Sequence, residues 1–191
     1  MVNRVGITGV LLVSGGVLFF LSYVFDLIYK SYGQQGQLEY LFGVLFSPLL
    51  FAAVTLLGIG LWRLRAWKPP LSRAGRVGLY LSLVALAGFG VTAAAMLVSA
   101  VQTSQPPEDI FWFFFLGLVL SVIGPILLGV GLRQVSWLGL GRLFPFAVAA
   151  GAILAPFDIY PWHDIGLMVL GLSWAALGAS MLLRKPDEVE S

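Results

Sequence analysis

The side chains that could do chemistry are concentrated in one short stretch, FDIYPWHD at residues 157–164. Carboxylates next to an imidazole, here Asp158, His163 and Asp164, can bind a divalent cation or relay protons. The alternative is that these groups lie at helix ends in water, where Asp164 gains from a helix N-terminus and no charge is buried. We favour the alternative, and we predict no catalytic, metal-binding or cofactor-binding residue. The same two interpretations apply to four further acids, Asp26, Glu39, Glu108 and Asp109.

Cysteine is absent from the sequence and histidine occurs once. The absence of cysteine excludes disulfides, thiolate metal sites, iron–sulfur clusters and cysteine nucleophiles. A single histidine excludes bis-histidine haem ligation and HExxH zinc chemistry. We therefore lean towards a protein that is not an enzyme, with no cofactor identified, although a pigment or lipid could pack between helices without leaving a sequence signature.

The composition is that of an integral membrane protein. Of the 191 residues, 59% are apolar and only 10% are charged, whereas soluble domains average about 25% charged residues. The apolar runs are apolar all round rather than alternating, which indicates helices and not barrel strands. The small net charge of +2 lies beside these runs and gives no indication of nucleic-acid binding.

Uncharged apolar runs of about 17 to 25 residues are long enough to cross the hydrocarbon core of a bilayer. Five runs qualify, and a sixth, Leu143 to Phe157, has only fifteen residues between Arg142 and Asp158. Arginine snorkelling and an extension through Trp137 to Leu140 could lengthen this sixth helix. The prediction is one all-α domain over residues 1–185 and a disordered tail over 186–191, with helices at about 5–29, 39–63, 76–101, 110–133, 141–158 and 164–184.

Basic residues concentrate on one side of these six crossings, and most acidic residues lie on the other. The six-crossing arrangement puts ten of the eleven basic residues on one side, leaving Lys30 on the other. Because basic residues concentrate in cytoplasmic loops, the distribution predicts that both termini are cytoplasmic. The densest basic segment is the loop between the second and third crossings, with Arg63, Arg65, Lys68, Arg73 and Arg76.

The chain also carries a weak internal repeat. Even-numbered crossings close on similar sequences, LGIGLWR at 57–63, LGVGLR at 128–133 and LGASMLLR at 177–184. A repeat of this kind predicts three consecutive two-helix hairpins. Convergent use of Leu, Gly and Arg at the ends of membrane helices would produce a similar pattern.

Within the crossings, polar residues are limited to serine and threonine, and Pro48 and Pro125 interrupt the second and fourth helices. Proton-driven transporters and voltage sensors carry ionisable groups at membrane depth. The absence of ionisable side chains between the helix ends of this chain therefore argues against active transport. Proline bends a helix, and we interpret these two residues as structural kinks.

Small residues mark a predicted packing face on the last crossing. Gly171, Ala175 and Ala179 are spaced by four and lie on one side of a helix, where a second helix can approach closely. Packing within this bundle and docking onto a partner membrane protein are both compatible with the pattern.

These observations favour a non-catalytic multi-pass protein of a prokaryotic plasma membrane, acting as an accessory or structural subunit of a larger complex. Its expected partners are the lipid bilayer and other membrane proteins. The alternative is a passive channel or facilitator for a small neutral or lipid-like solute, lined by serines such as Ser47 and Ser121. A membrane hydrolase based on Asp158, His163 and Asp164 is a third hypothesis.

Overall fold

Six α-helices account for most of the chain in the computed structural model, which describes residues 2–32, 37–66, 71–102, 109–155 and 162–183. A short 3₁₀ helix, Ser136–Leu143, precedes the fifth α-helix, and the described residues contain no strand. The helices are α1 Val2–Tyr32, α2 Gln37–Leu64, α3 Arg73–Gln102, α4 Ile110–Leu132, α5 Phe144–Leu154 and α6 Trp162–Leu182.

Five of these helices are long and apolar enough to cross a membrane, and the segment Leu138–Leu154 forms a shorter apolar helix. Helices are the expected form because a bilayer interior offers no water to the backbone, and a helix satisfies its own N–H and C=O groups. The prediction of an all-α protein with apolar helices of membrane-spanning length is confirmed. The predicted tail, 186–191, lies outside the described residues.

The fifth helix differs from its prediction of a single helix over about 141–158. The segment before it is 3₁₀ rather than α, and Gly139 adopts φ 52° and ψ −126° there, a backbone conformation that L side chains rarely take. The α-helical part then runs from Phe144 to Leu154, with a proline in its first turn. These eleven residues rise only about 17 Å, so the extension through Trp137 to Leu140 exists but turns at Gly139 instead of continuing the helix.

Each helix packs antiparallel against the next, and α6 returns to pack against α1. Backbones approach closely at several of these contacts because glycines face each other or face a neighbouring backbone. Gly78 of α3 lies against Leu128 of α4, and Gly151 of α5 lies against Gly166 of α6. The result is a ring of helices closed between α1 and α6.

Large side chains fill the inside of the ring. Phe19, Phe89 and Trp174, from three different helices, are at most 2% exposed, and leucines from all the long helices surround them. The outer surface is a belt of exposed aliphatic and aromatic residues, including Val10, Ile59 and Val84. This is the distribution expected when the outer face meets lipid rather than water.

Charged residues separate to the two ends of the ring. At one end, which we name the acidic end, the described charged residues are Asp26, Lys30, Glu39, Asp109 and Asp164. At the other, which we name the basic end, they are Arg4, Arg63, Arg65, Arg73, Arg76, Arg133 and Arg142. Lys68, Glu108, Asp158, Arg184 and Lys185 lie outside the described residues.

Candidate functional site at the acidic end

An ion triad joins α1 to α6 at the acidic end. The Lys30 ammonium lies 2.8 Å from Asp26 Oδ2 and 2.9 Å from Asp164 Oδ1. Asp26 is four residues before Lys30 on the same helix, whereas Asp164 is 134 residues away in sequence. Only the second contact therefore connects two helices, the first and the sixth of the ring.

The three side chains differ in their access to solvent. The Asp164 side chain is 1% exposed, the Asp26 side chain 22% and the Lys30 side chain 39%. Lys30 reaches from the surface towards a carboxylate that is fully covered, which is the usual way a long basic side chain serves a buried acid at a membrane helix end. The triad has one more formal negative charge than positive charges.

Local sequence explains why these residues meet. Lys30 lies in the last turn of α1, and an Asp–Lys pair spaced by four residues shares one face of a helix. Asp164 lies in the first turn of α6, where the free N–H groups of the helix favour a carboxylate. The close antiparallel packing of α1 and α6 brings the two helix ends together.

Burial of Asp164 corrects the expectation that this carboxylate lies in water. Its predicted position at a helix N-terminus is right, but α1 covers it and Lys30 neutralises it. Lys30, which appeared in the sequence as the single basic residue on its side, is the partner of a buried acid. The sequence contained no signal for this pairing beyond that exception to the charge pattern.

His163 is engaged elsewhere. Its Nδ1 lies within hydrogen-bond distance of the backbone oxygen of Ala155, the residue that ends α5. Because a carbonyl oxygen only accepts, Nδ1 carries the proton in this contact. His163 thus satisfies a backbone oxygen at the end of α5 and joins the end of α5 to the first turn of α6.

The remaining acids of the predicted cluster do not complete a metal site among the residues described. Asp109 is exposed at the N-cap of α4 and makes no side-chain cap bond, and Glu39 lies in the first turn of α2. In the described part of the chain, no three His, Cys, Asp or Glu residues lie together as metal ligands would. Asp158 and Glu108 fall outside it.

A continuous chain of aromatic rings fills the bundle interior near the triad. It begins at α2, passes through α1, α3 and α4, and ends at His163 of α6. Tyr23, three residues before Asp26, is 2% exposed. Neighbouring ring centroids are 5.2 to 6.3 Å apart, a range typical of favourable aromatic pairs, in the order Phe46, Tyr23, Phe19, Phe89, Phe114 and His163.

Hydroxyl groups within the helices are used locally. Ser82, Thr92 and Ser173 each donate to the backbone oxygen four residues earlier on their own helix. Ser47 and Ser121, the residues of the facilitator hypothesis, are each 5% exposed. Such back-bonding satisfies a hydroxyl without presenting it to a solute.

The predicted packing face of α6 lies at the contact with α1. Gly171 and Ala175 both adjoin Gly16, where an added Cβ would come within 2.5 Å of the Gly171 oxygen and of the Ala175 nitrogen. Ala179, one turn further along, is partly buried. Two of the three small residues thus serve packing inside the ring.

The site can hold the first and sixth helices together through the Lys30–Asp164 contact. No family model, no curated protein and no solved structure matches this chain.

Proposed function

We propose that the chain is a non-catalytic, six-span protein of a prokaryotic plasma membrane, with both chain termini on the cytoplasmic side, acting as an accessory or structural subunit of a membrane complex. The separation of an acidic end from a basic end supports this orientation, because arginine-rich ends face the cytoplasm. The preference for arginine over lysine, together with frequent glycine and alanine, supports a prokaryotic source.

The observation that carries the proposal is the filled interior of the ring. Rings and leucines occupy the space between the helices, and the buried hydroxyls of Ser82 and Ser173 donate to their own helices. The fully covered Asp164 carboxylate is bound to Lys30 across the α1–α6 contact. These polar groups stabilise the ring itself, which is the property of a structural component.

The location of partner contacts follows from the same packing. Gly16 and Gly171 already pack against each other's helices within the ring. We therefore expect contacts with other membrane proteins on the outer apolar belt. The start of α4 is the most aromatic part of this belt, and Trp112 is 71% exposed there. Aromatic side chains of this kind also suit anchoring at the membrane interface.

Membrane orientation can be tested directly because the chain contains no cysteine. We would introduce Asp109→Cys at the acidic end and Gln134→Cys at the basic end, both at exposed positions. A membrane-impermeant maleimide added to intact spheroplasts should label the first variant and spare the second. Labelling of Gln134→Cys alone would reverse the orientation, and equal labelling of both would reject a spanning arrangement of α4.

The subunit role is tested by purification of the tagged protein in a gentle detergent, followed by mass spectrometry of the eluate. We expect membrane proteins in fixed stoichiometry with the tagged chain. A homogeneous species free of other proteins would contradict the proposal.

The facilitator hypothesis receives less support from the packing, because the described hydroxyls of Ser82, Thr92 and Ser173 bond to helix backbones. It predicts solute flux into liposomes that falls when Ser47 or Ser121 is replaced by a bulky residue. The enzyme hypothesis predicts an activity that His163→Ala abolishes. Absence of flux for a panel of small neutral solutes, or of any effect of His163→Ala, would remove the respective hypothesis.

A further inference from the structure

A groove of about 320 Å³ lies between α2 and α3. Phe51, Thr55 and Gly58 line it on α2, and Leu83, Ala87 and Gly90 line it on α3. Its volume is at the lower end of the range of small-ligand sites. A Cβ placed on Gly58 would meet no atom within 4 Å, so this glycine leaves space rather than bringing backbones together.

The groove opens outward into the apolar belt. Phe51, Thr55 and Ala87 are exposed along its length. The Thr55 hydroxyl donates to the Phe51 backbone oxygen at 2.8 Å, so it does not require a polar group from an occupant. The surface offered is apolar, suited to a hydrocarbon chain that already surrounds the helices.

Helical spacing continues the groove towards the basic end. On α2, Trp62 follows Phe51, Thr55 and Gly58 on the same face. Arg65 comes three residues after Trp62, in the turn just beyond the end of α2 at Leu64. On α3, the corresponding position before Leu83 is Arg76, seven residues earlier. Both arginines are exposed, and each lies on the basic side of one of the two helices that form the groove.

Depth along the helices matches one leaflet of a bilayer. The α2 residues that line the groove lie 5 to 13 residues before Leu64, the end of that helix. At 1.5 Å per residue they lie about 8 to 20 Å below it. Half of the hydrocarbon core is about 15 Å thick, so the groove lies at the level of the acyl chains of the leaflet on the basic side.

Positive charge dominates where the groove meets this surface. The Arg65 guanidinium stacks 4.5 Å from the centre of the Trp62 ring, which holds it at the groove end of α2. At the start of α3, the Ser72 hydroxyl accepts from the Gly75 N–H. A helix N-terminus adds positive potential, and the described residues of the basic end include no acid.

We propose that this groove binds one anionic phospholipid of the leaflet at the basic end, with an acyl chain between Gly58 and Gly90 and the phosphate between Arg65 and Arg76. Charge complementarity selects the anionic headgroup, and the groove's depth selects the chain. A partner helix does not fit, because a helix with its side chains is a cylinder about 10–12 Å wide. The inference is independent of the proposed subunit role.

The test measures lipid binding to the purified full chain by native mass spectrometry, with dioleoyl phosphatidylglycerol and dioleoyl phosphatidylcholine titrated separately. The headgroup variant is Arg65→Gln/Arg76→Gln, and its matched control is Arg133→Gln/Arg142→Gln, which removes the same charge from the same end. The chain variant is Gly58→Leu, which fills the groove. Its control is Gly6→Leu, since a Cβ on Gly6 also meets nothing within 4 Å.

We expect the parent protein to bind phosphatidylglycerol more tightly than phosphatidylcholine. Two arginines near a lipid surface correspond to about a 30-fold change in affinity. Arg65→Gln/Arg76→Gln should therefore bind phosphatidylglycerol about 30-fold more weakly than the parent protein does. The control double variant should bind phosphatidylglycerol nearly as tightly as the parent protein. Gly58→Leu should lose the bound lipid while retaining its helix content by circular dichroism, and Gly6→Leu should keep both.

Four outcomes would overturn the proposal. Equal affinities for the two lipids would show that the protein does not select an anionic headgroup. Equal losses of lipid affinity in the two double variants would show a general attraction to the basic end instead of a specific site. Undiminished lipid binding by Gly58→Leu would show that the groove is not where the chain lies. A lipid-free parent with subunit partners would reject this site and leave the subunit role standing.

Discussion

The α1–α6 and α2–α3 contacts use glycine in opposite ways. At the first, a Cβ on Gly16 would lie 2.5 Å from backbone atoms of α6, so the two helices meet through their main chains. At the second, a Cβ on Gly58 would meet nothing within 4 Å, and a Cβ on Gly90 would reach only a Val54 methyl at 3.5 Å. One contact is sealed and carries an ion pair, whereas the other is open to the outside.

The difference teaches that small residues in a membrane helix do not by themselves indicate a packing face. Gly171 and Gly58 are both glycines within apolar helices of membrane-spanning length. Their roles depend on whether a neighbouring backbone lies within reach of the missing side chain, and that is a property of the whole ring. Four substitutions test how far the contrast between the two contacts extends.

Gly16→Leu should have the largest effect. Because Ala175 N and Gly171 O leave no room for a Cβ, α1 and α6 must separate, and we expect the free energy of unfolding to fall by about 3 kcal/mol. Unfolding in mixed detergent–SDS micelles, followed by circular dichroism, measures the change. Gly6→Leu is the control on the same helix, and a parent-like Gly16→Leu would mean that this contact is not formed.

Lys30→Met should rank second. It leaves the buried Asp164 carboxylate without its ammonium, a loss of 3–5 kcal/mol for a fully buried pair. Because Lys30 is 39% exposed, we expect about 2 kcal/mol. In a double-mutant cycle, adding Asp164→Asn to Lys30→Met should raise the free energy of unfolding by about 1 kcal/mol above that of Lys30→Met alone. Strictly additive effects of the two changes would show that the contact contributes no stability between α1 and α6.

Gly58→Leu should act in the other direction. A Cβ at this position meets no atom within 4 Å, and leucine favours helix over glycine by about 0.8 kcal/mol. The free energy of unfolding should therefore stay constant or rise by up to that amount in the same SDS titration. A fall comparable with that of Gly16→Leu would mean that the two contacts are alike.

Asp26→Asn should have the smallest effect. Its pair with Lys30 lies within α1, and pairs of this spacing on one helix contribute about 0.5 kcal/mol or less. The Lys30–Asp164 contact remains in this variant. SDS unfolding should place Asp26→Asn well above Lys30→Met in stability, and a reversal of that order would assign the connection between the helices to Asp26.

Much of the fold could be predicted from the sequence because the bilayer imposes length. Runs bounded by charge predicted α4 within a residue at each end, and α2 within about two. The fifth helix could not be predicted as well, because its start depends on the Gly139 turn, and a glycine among apolar residues predicts no particular φ. The short apolar run between Arg142 and Asp158 indicated only that this helix differs in length from the other five.

The candidate site could be predicted only in its parts. The position of Asp164 in the first turn of α6 followed from sequence, as did the position of Lys30 near the end of α1. Their contact did not, because helices that are apolar all round show no preferred face, so the sequence does not predict which helix covers which. The ring closure between α1 and α6 determines the pairing.

Ring closure also determines when the protein can finish folding during synthesis. Lys30 and Asp164 are separated by 134 residues, and at about 5–20 residues per second the ribosome needs roughly 7 to 27 seconds to make the intervening chain. During that interval α1 resides in the membrane without the surface that will cover Gly16. The nascent chain must therefore keep its first helix available, and the final packing step waits for the arrival of α6.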